Sequence, residues 1–267
     1  MKKLLLLMIL VLACALTLSA CGNSAETTTP ADTDNTTFTV GFDKGFPPYG
    51  YVADDGSYTG FDLELAAEVA KRNGWELVLQ PISWDAKDAE LESGAIDCIW
   101  NGFTINGRED QYTWTEPYVD NTQVFVVKSD SGIKSAADLA GKTIMTQADS
   151  SALTALESED YADTYKTFGK VITTSDYNSA FMELEAGAVD AIATDVGVAN
   201  FQITDRDTEF VILDEPLSTE QYGIGFLLGN TELRDTVQAT LKEMVKDGTV
   251  DKIIEKYAKW NIAWILE

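Results

Sequence analysis

Between residues 37 and 267 the chain switches repeatedly between two rhythms of apolar and polar positions. TFTVGF, residues 37–42, alternates side chain by side chain, the period of a strand. FDLELAAEVAKRNG then sets Phe61, Leu65, Ala66, Val69 and Ala70 at helical spacing and stops at Gly74. ELVLQPI predicts a second strand, SWDAKDAELESG a helix capped by Ser83 and ended by Gly94, and AIDCIWN a third strand. A second series begins near residue 135: helix SAADLAG, strand KTIMTQ, a helix from Ser150, strand GKVITT, helix NSAFMELEAG and strand AVDAIATD. Strand YGIGFLL and two helices, ELRDTVQATLKEMVKDG and VDKIIEKYAKW, close the pattern. Strands and helices in alternation predict mostly parallel sheets with crossover helices, an α/β fold.

The two series echo one another. ELESGAID, residues 90–97, returns as ELEAGAVD, residues 183–190, with helix end, glycine and strand start in the same register. Two lobes of one design are expected. The equivalent strands run over 95–101 and 188–194, with Gly102, Thr104 and Arg108 just past the first and Asp195 just past the second. Open parallel sheets take ligands outside the carboxyl ends of their strands, so facing lobes would bring Arg108 and Asp195 to a shared cleft.

The N-terminus follows another pattern. Lys2 and Lys3 precede an apolar run from Leu4 to Leu16 that ends in Leu18-Ser19-Ala20-Cys21, as in a secretory signal peptide covering residues 1–20. Residues 22–36, GNSAETTTPADTDNT, have too few apolar groups to offset their own ordering entropy and predict a flexible tether. The chain carries 44 acidic and 19 basic residues, which argues against nucleic acid as a partner. It has no histidine, and Cys98 in AIDCIW has no disulfide partner in prospect. Zinc chemistry and Ser-His-Asp catalysis are therefore not expected, and neither is a metal or a cofactor.

VGFDKGFPPYG, GFDLELAAEVAKRNG, LESGAIDCIWNGFTINGRE, EPYVDN, QADSSA, GAVDAIATD, QYGIGF and VKDGTVDKIIEKY together resemble the bacterial extracellular solute-binding proteins that deliver polar amino acids to ABC importers. The resemblance covers residues 37 to 258. It implies a two-lobe periplasmic-binding-protein-like fold joined by two hinge crossings. Lobe 1 would comprise 37–119 and 223–267, the hinge 120–123 and 218–222, and lobe 2 124–217. It also implies a lipobox, with Cys21 lipidated and residues 21–36 tethering a monomer to the outer face of the cytoplasmic membrane, next to an ABC permease. Ending after Glu267 without a signalling module, the chain is expected to be a binding protein and not a sensor. The alternative is an enzyme on the same scaffold, similar to cyclohexadienyl dehydratases; the joint presence of Arg108 and Asp195 favours binding.

A free amino acid presents a carboxylate and an ammonium, and burying either without compensation is costly. Arg108 suits the carboxylate because its planar fork can donate two parallel hydrogen bonds. The resemblance assigns Thr104 a hydroxyl for the ammonium or carboxylate, Gly102 a carbonyl facing the ammonium, Asp195 the carboxylate for the α-ammonium and Phe46 a ring against the ligand. TINGR holds one residue fewer before Arg108 than the family's usual pattern. Ser150 and Ser151, ahead of the run ALTALE, either cap that helix or donate to the ligand carboxylate; Asp195 either meets the ammonium or caps the helix after it. Asp43, Lys87 and Asn101 point toward the ligand side chain, unless Asp43 and Lys87 pair with each other. The substrate stays open among glutamine, glutamate, cystine and basic amino acids, with Lys87 tilting the order toward a polar or acidic side chain.

Overall fold

The computed structural model describes residues 36–204, 206 and 209–267. Residues 1–35, with the signal segment, Cys21 and nearly all of the tether, lie outside the described residues. The body is a mixed α/β fold of two lobes threaded by one continuous, curled sheet. Its main strands are β1 (Thr37–Phe42), β2 (Glu76–Pro81), β3 (Cys98–Thr104), β4 (Val119–Lys128), β5 (Thr143–Gln147), β6 (Lys170–Thr174), β7 (Ala191–Asp195) and β8 (Ser218–Phe226). The helices that position the site are α1 (Phe61–Asn73), α2 (Lys87–Glu92), α3 (Ser151–Leu156), α4 (Tyr177–Ala186) and α5 (Val196–Thr204).

In the first lobe β2, β1 and β3 are parallel in the order β2-β1-β3; in the second, β6, β5 and β7 are parallel in the order β6-β5-β7. The long strands β4 and β8 belong to both lobes. They pair antiparallel over Ser218↔Gln123 to Tyr222↔Val119, while the far half of β4 joins β7 and the far half of β8 joins β3. The expected crossings, 120–123 and 218–222, fall on this shared ladder. Hydrophobic cores sit on the helix-covered faces: one is built on Phe125, Leu139, Ile144 and Ala191, a second on Trp84, Ile99, Phe103 and Trp114, and a third runs through both lobes. All three lie within the described body, which thus holds what it needs to fold alone.

The sequence echo is a structural repeat. After α2 the chain turns through Gly94 at φ +75°, and after α4 through Gly187 at the same φ, which residues with a Cβ rarely adopt. Ala95 N–H donates back to the Glu90 carbonyl at 3.0 Å, and Ala188 N–H to that of Glu183 at 2.9 Å. Asp97 then brackets Thr39 of β1, its N–H donating to the Thr39 carbonyl at 2.8 Å and its Oδ2 accepting from the Thr39 N–H at 2.7 Å. Asp190 does the same to Thr143 of β5, at 2.9 and 2.8 Å.

Several elements differ from the sequence reading. β3 does not stop at Asn101 but continues through Thr104, because Gly102 keeps the ladder at φ +58° and Phe103 packs into the core. The helix from Ser83 is a 3-10 turn, Trp84–Ala86, before α2, and Ser83 does not cap it; its hydroxyl goes to Asp85 Oδ1 at 2.5 Å. SAADLAG forms only a 3-10 turn, Ala136–Leu139, closed by a reciprocal Ser135 and Asp138 capping box. Gly45–Thr59 folds into a small three-stranded sheet that the pattern did not predict. No helix among the described residues is long and apolar enough to cross a membrane.

Candidate functional site between the lobes

The carboxyl ends of β1 and β3 face those of β5 and β7 across the lobes, and direct side-chain contacts bridge them. Thr104 and Ser151 hydroxyls lie 2.8 Å apart, Gln147 Nε2 donates to Asp43 Oδ2 at 2.5 Å, and Lys87 is ion-paired with Asp149. Arg108 leaves the turn after β3, donates to the Thr104 carbonyl at 3.3 Å and lies over the Phe103 ring. Among the described residues no carboxylate comes within ion-pair distance of it. In a chain of net charge −25, an arginine without an acidic partner is the unusual case.

Asp195, at the end of β7, is buried and has no basic partner among the described residues. Its Oδ1 accepts from Asn121 Nδ2 at 2.8 Å, from Gln123 Nε2 at 2.7 Å and from the Tyr222 hydroxyl. Burial, and then the negative charge of Glu220, push its carboxyl up to about 8. Tyr222 stands opposite Thr104 in the β8–β3 ladder. Two residues thus link Arg108 of the first lobe to Asp195 of the second.

Gly102 packs where a Cβ would meet the Phe46 ring at 2.9 Å and the Tyr222 ring at 3.1 Å. Its N–H donates to Asp62 Oδ2 at 2.6 Å, and Tyr118 donates to the same oxygen at 2.9 Å. Asp62, in the first turn of α1, is fully buried, and burial lifts its carboxyl to about 7. Phe46 stacks obliquely on Tyr49 and Tyr177. Ser150 caps α3, accepting from the Leu153 N–H at 3.2 Å, and its hydroxyl donates to the Gln147 carbonyl at 2.8 Å; Ser151 is free to reach Thr104.

The alternative in which Lys87 pairs with Asp43 is not the one that forms: Lys87 is buried over Trp84, and its charge is met by Asp149, which holds a positive φ of 57°. Asp43 instead accepts from the Gly45 N–H at 2.7 Å and from Gln147, and burial raises its carboxyl. Asn101 is buried against Gly50, where a Cβ would come 2.2 Å from its Oδ1, and neither amide atom has a hydrogen-bond partner.

Asp43 and Trp84 of one lobe, and Asp176 and Phe201 of the other, line a groove of about 1000 Å³ together with Asp54, Lys44 and Trp260. With Lys87 neutralised, its charge is acidic. Sequence reasoning missed Tyr49, Asp62, Asn121, Gln123, Tyr177, Glu220 and Tyr222. A faint signal existed for four of them: Asn121 and Gln123, like Glu220 and Tyr222, sit two apart in strands, so each pair shares a face.

The chain matches the bacterial extracellular solute-binding proteins, family 3, over residues 38–259. It is 31% identical over 224 residues to the L-cystine-binding protein TcyJ of Escherichia coli K12, covering 83% of this chain and 82% of that one. The arginine-binding extracellular protein ArtP of Bacillus subtilis is 30% identical, over 96% of this chain and 98% of its own. Among solved structures, an ABC uptake transporter substrate-binding protein from Streptococcus pneumoniae with bound histidine superposes with a TM-score of 0.80 at 32% identity, over 85% of this chain and 94% of that one.

Proposed function

This chain belongs to the bacterial extracellular solute-binding proteins, family 3, and on that ground we propose that it captures an amino acid between its lobes outside the cell and hands it to an ABC importer. The observation that carries the reading is a guanidinium and a carboxyl on facing lobes, Arg108 and Asp195, neither paired with a group of opposite charge among the described residues. A zwitterion supplies both partners at once, the carboxylate for Arg108 with Thr104 and Ser151 beside it, and the ammonium for Asp195. Contacts from both lobes are what a ligand needs to favour the closed arrangement. The hinge lies at 120–123 and 218–222, with lobe 1 at 37–119 and 223–267 and lobe 2 at 124–217.

The groove beyond the clamp names the side chain. Asp43, Asp54 and Asp176 against Lys44 favour a cationic or donor-bearing end, and Trp84 and Phe201 offer aromatic faces to its stem. Relatives that bind arginine and histidine agree with this choice. Lipidation at Cys21 would hold the protein at the outer face of the membrane; Cys21→Ala is expected to release it into the medium.

Calorimetric titration of residues 37–267 with the twenty amino acids and cystine tests the reading. A basic amino acid should bind most tightly, with a Kd of about 1 μM or below, equivalent to about −8 kcal/mol. Silence across the panel would overturn it. A second reading draws on the burial that pushes the Asp195 carboxyl up, since a carboxyl so placed could serve as the general acid that a cyclohexadienyl dehydratase needs. Incubation with prephenate or arogenate, followed in the ultraviolet, should show no conversion.

A further inference from the structure

Glu220 has no part in the clamp described above, yet it is among the few buried carboxylates of the molecule, with 7% of its surface exposed. It stands opposite Asn121 where β4 and β8 cross between the lobes. Asn121 Nδ2 donates to Asp195 Oδ1 at 2.8 Å and to Glu220 Oε1 at 2.7 Å. Gln123 Nε2 donates to the same two oxygens, at 2.7 and 2.6 Å. The two amides spend all four of their N–H bonds holding one oxygen of each carboxylate between the same two nitrogens.

The surroundings bring no positive charge. β8 supplies Tyr222 beside Glu220, the loop before α1 supplies Tyr49, α1 supplies Asp62 and α4 supplies Tyr177. Each of these is a phenol or another acid. Among the described residues no lysine or arginine forms an ion pair with Asp195 or Glu220. A carboxyl buried on shared donors beside a second carboxylate, as Asp195 is beside Glu220, favours its protonated form until a cation joins it.

We propose that Asp195, held beside the buried Glu220 on the same two amide donors, keeps a proton in the free protein and releases it to solvent when the ligand ammonium takes its place. This rests on the amino-acid reading of the cleft and adds Glu220 to the residues that set specificity: the pair demands a cationic amino group, since a neutral group could not displace the proton. The geometry makes Glu220 a positioning residue acting through Asp195. The raised carboxyl of Asp195, near 8, has the matching direction. A bound ammonium favours the ionised form, so affinity should climb with pH up to about 8 and level off above it. Below that point the fall approaches tenfold per pH unit, the slope for one proton.

The test is calorimetry at about pH 6.5 in two buffers of different ionisation enthalpy, with L-arginine, L-histidine and L-cystine as probes. The wild-type body should release close to one proton per ligand bound. Glu220→Gln should at least halve that release and flatten the pH profile, while Glu220→Asp should restore both. Binding without proton release, or equal release in wild type and Glu220→Gln, overturns the inference and leaves the amino-acid reading standing. No heat with any of the three probes contradicts the reading of the cleft itself, and the inference with it. If Glu220→Gln does not fold, the wild-type proton count decides alone.

Discussion

Arg108 reaches the cleft with its guanidinium over the Phe103 ring and a single hydrogen bond, to the carbonyl of Thr104. It therefore gives the folded protein little, and a change there should separate binding from stability. Arg108→Ala is expected to weaken amino-acid binding by about a hundredfold or more, since a charged, bidentate partner is worth about 2–5 kcal/mol in a closed site. Arg108→Lys should recover only a small part of it, because an ammonium cannot donate the parallel pair. Calorimetry beside a thermal melt checks this; affinity unchanged in Arg108→Ala would contradict the assigned role. Arg108, Asp195 and Ser151 could be singled out from the sequence because each sits next to a strand or helix end that the pattern already marked. The partner of Lys87 could not: Asp149 lies in the other lobe, and no local pattern ties the two together. Glu220, Asn121 and Gln123 escaped because polar residues in a crossing strand look like an exposed face until both strands of the ladder are known.

At the level of elements, the repeat explains why α/β alternation was readable and where the reading went astray. The phrase helix, glycine, strand recurs because each lobe closes the same backbone bracket, Asp97 on Thr39 and Asp190 on Thr143. Asp97→Asn and Asp190→Asn should each cost about 1–2 kcal/mol of unfolding free energy, the scale of a carboxylate-assisted backbone hydrogen bond, and leave ligand affinity within about twofold. Denaturant unfolding beside calorimetry would show it, and a loss of binding without a loss of stability would argue that these aspartates serve the site directly. Trp84 and Tyr177 occupy matching places, each ten residues before the glycine of its bracket, and each meets the cleft from its own lobe. The small sheet at Gly45–Thr59 stayed hidden because its strands are only two or three residues long.

For the molecule as a whole, the two lobes share one sheet, and residues on or next to the strands that join them donate hydrogen bonds to the buried acids Asp62 and Asp195. Asp62 and Asp195 hold carboxyls raised to about 7 and about 8 from an ordinary value of 3.8, chiefly by burial. The folded state thus binds these protons more tightly than the unfolded chain, so their contribution is fully present below about pH 4 and is lost as pH rises through 7 and 8. The ligand-free body is expected to melt several degrees lower at about pH 8.5 than at about pH 5.5. Asp62→Asn should reduce that difference. A melting temperature that rises over this interval would contradict the protonation of the cleft acids. The overall plan of two lobes and two crossings was legible because the echo and the order of the motifs specify it. The groove was not, since Asp43, Asp176, Phe201 and Trp260 come from four separate segments that only the closed sheet brings together.

The grip on a zwitterion from both sides is most directly measured by capping one end of the ligand at a time. The tightest-binding amino acid should be compared by calorimetry with its carboxamide and its Nα-acetyl derivative. Each modification is expected to lower affinity by about a hundredfold or more, because each leaves one side of the clamp, Arg108 or Asp195, without its partner. A carboxamide or an acetylated form that binds as well as the parent would contradict the account.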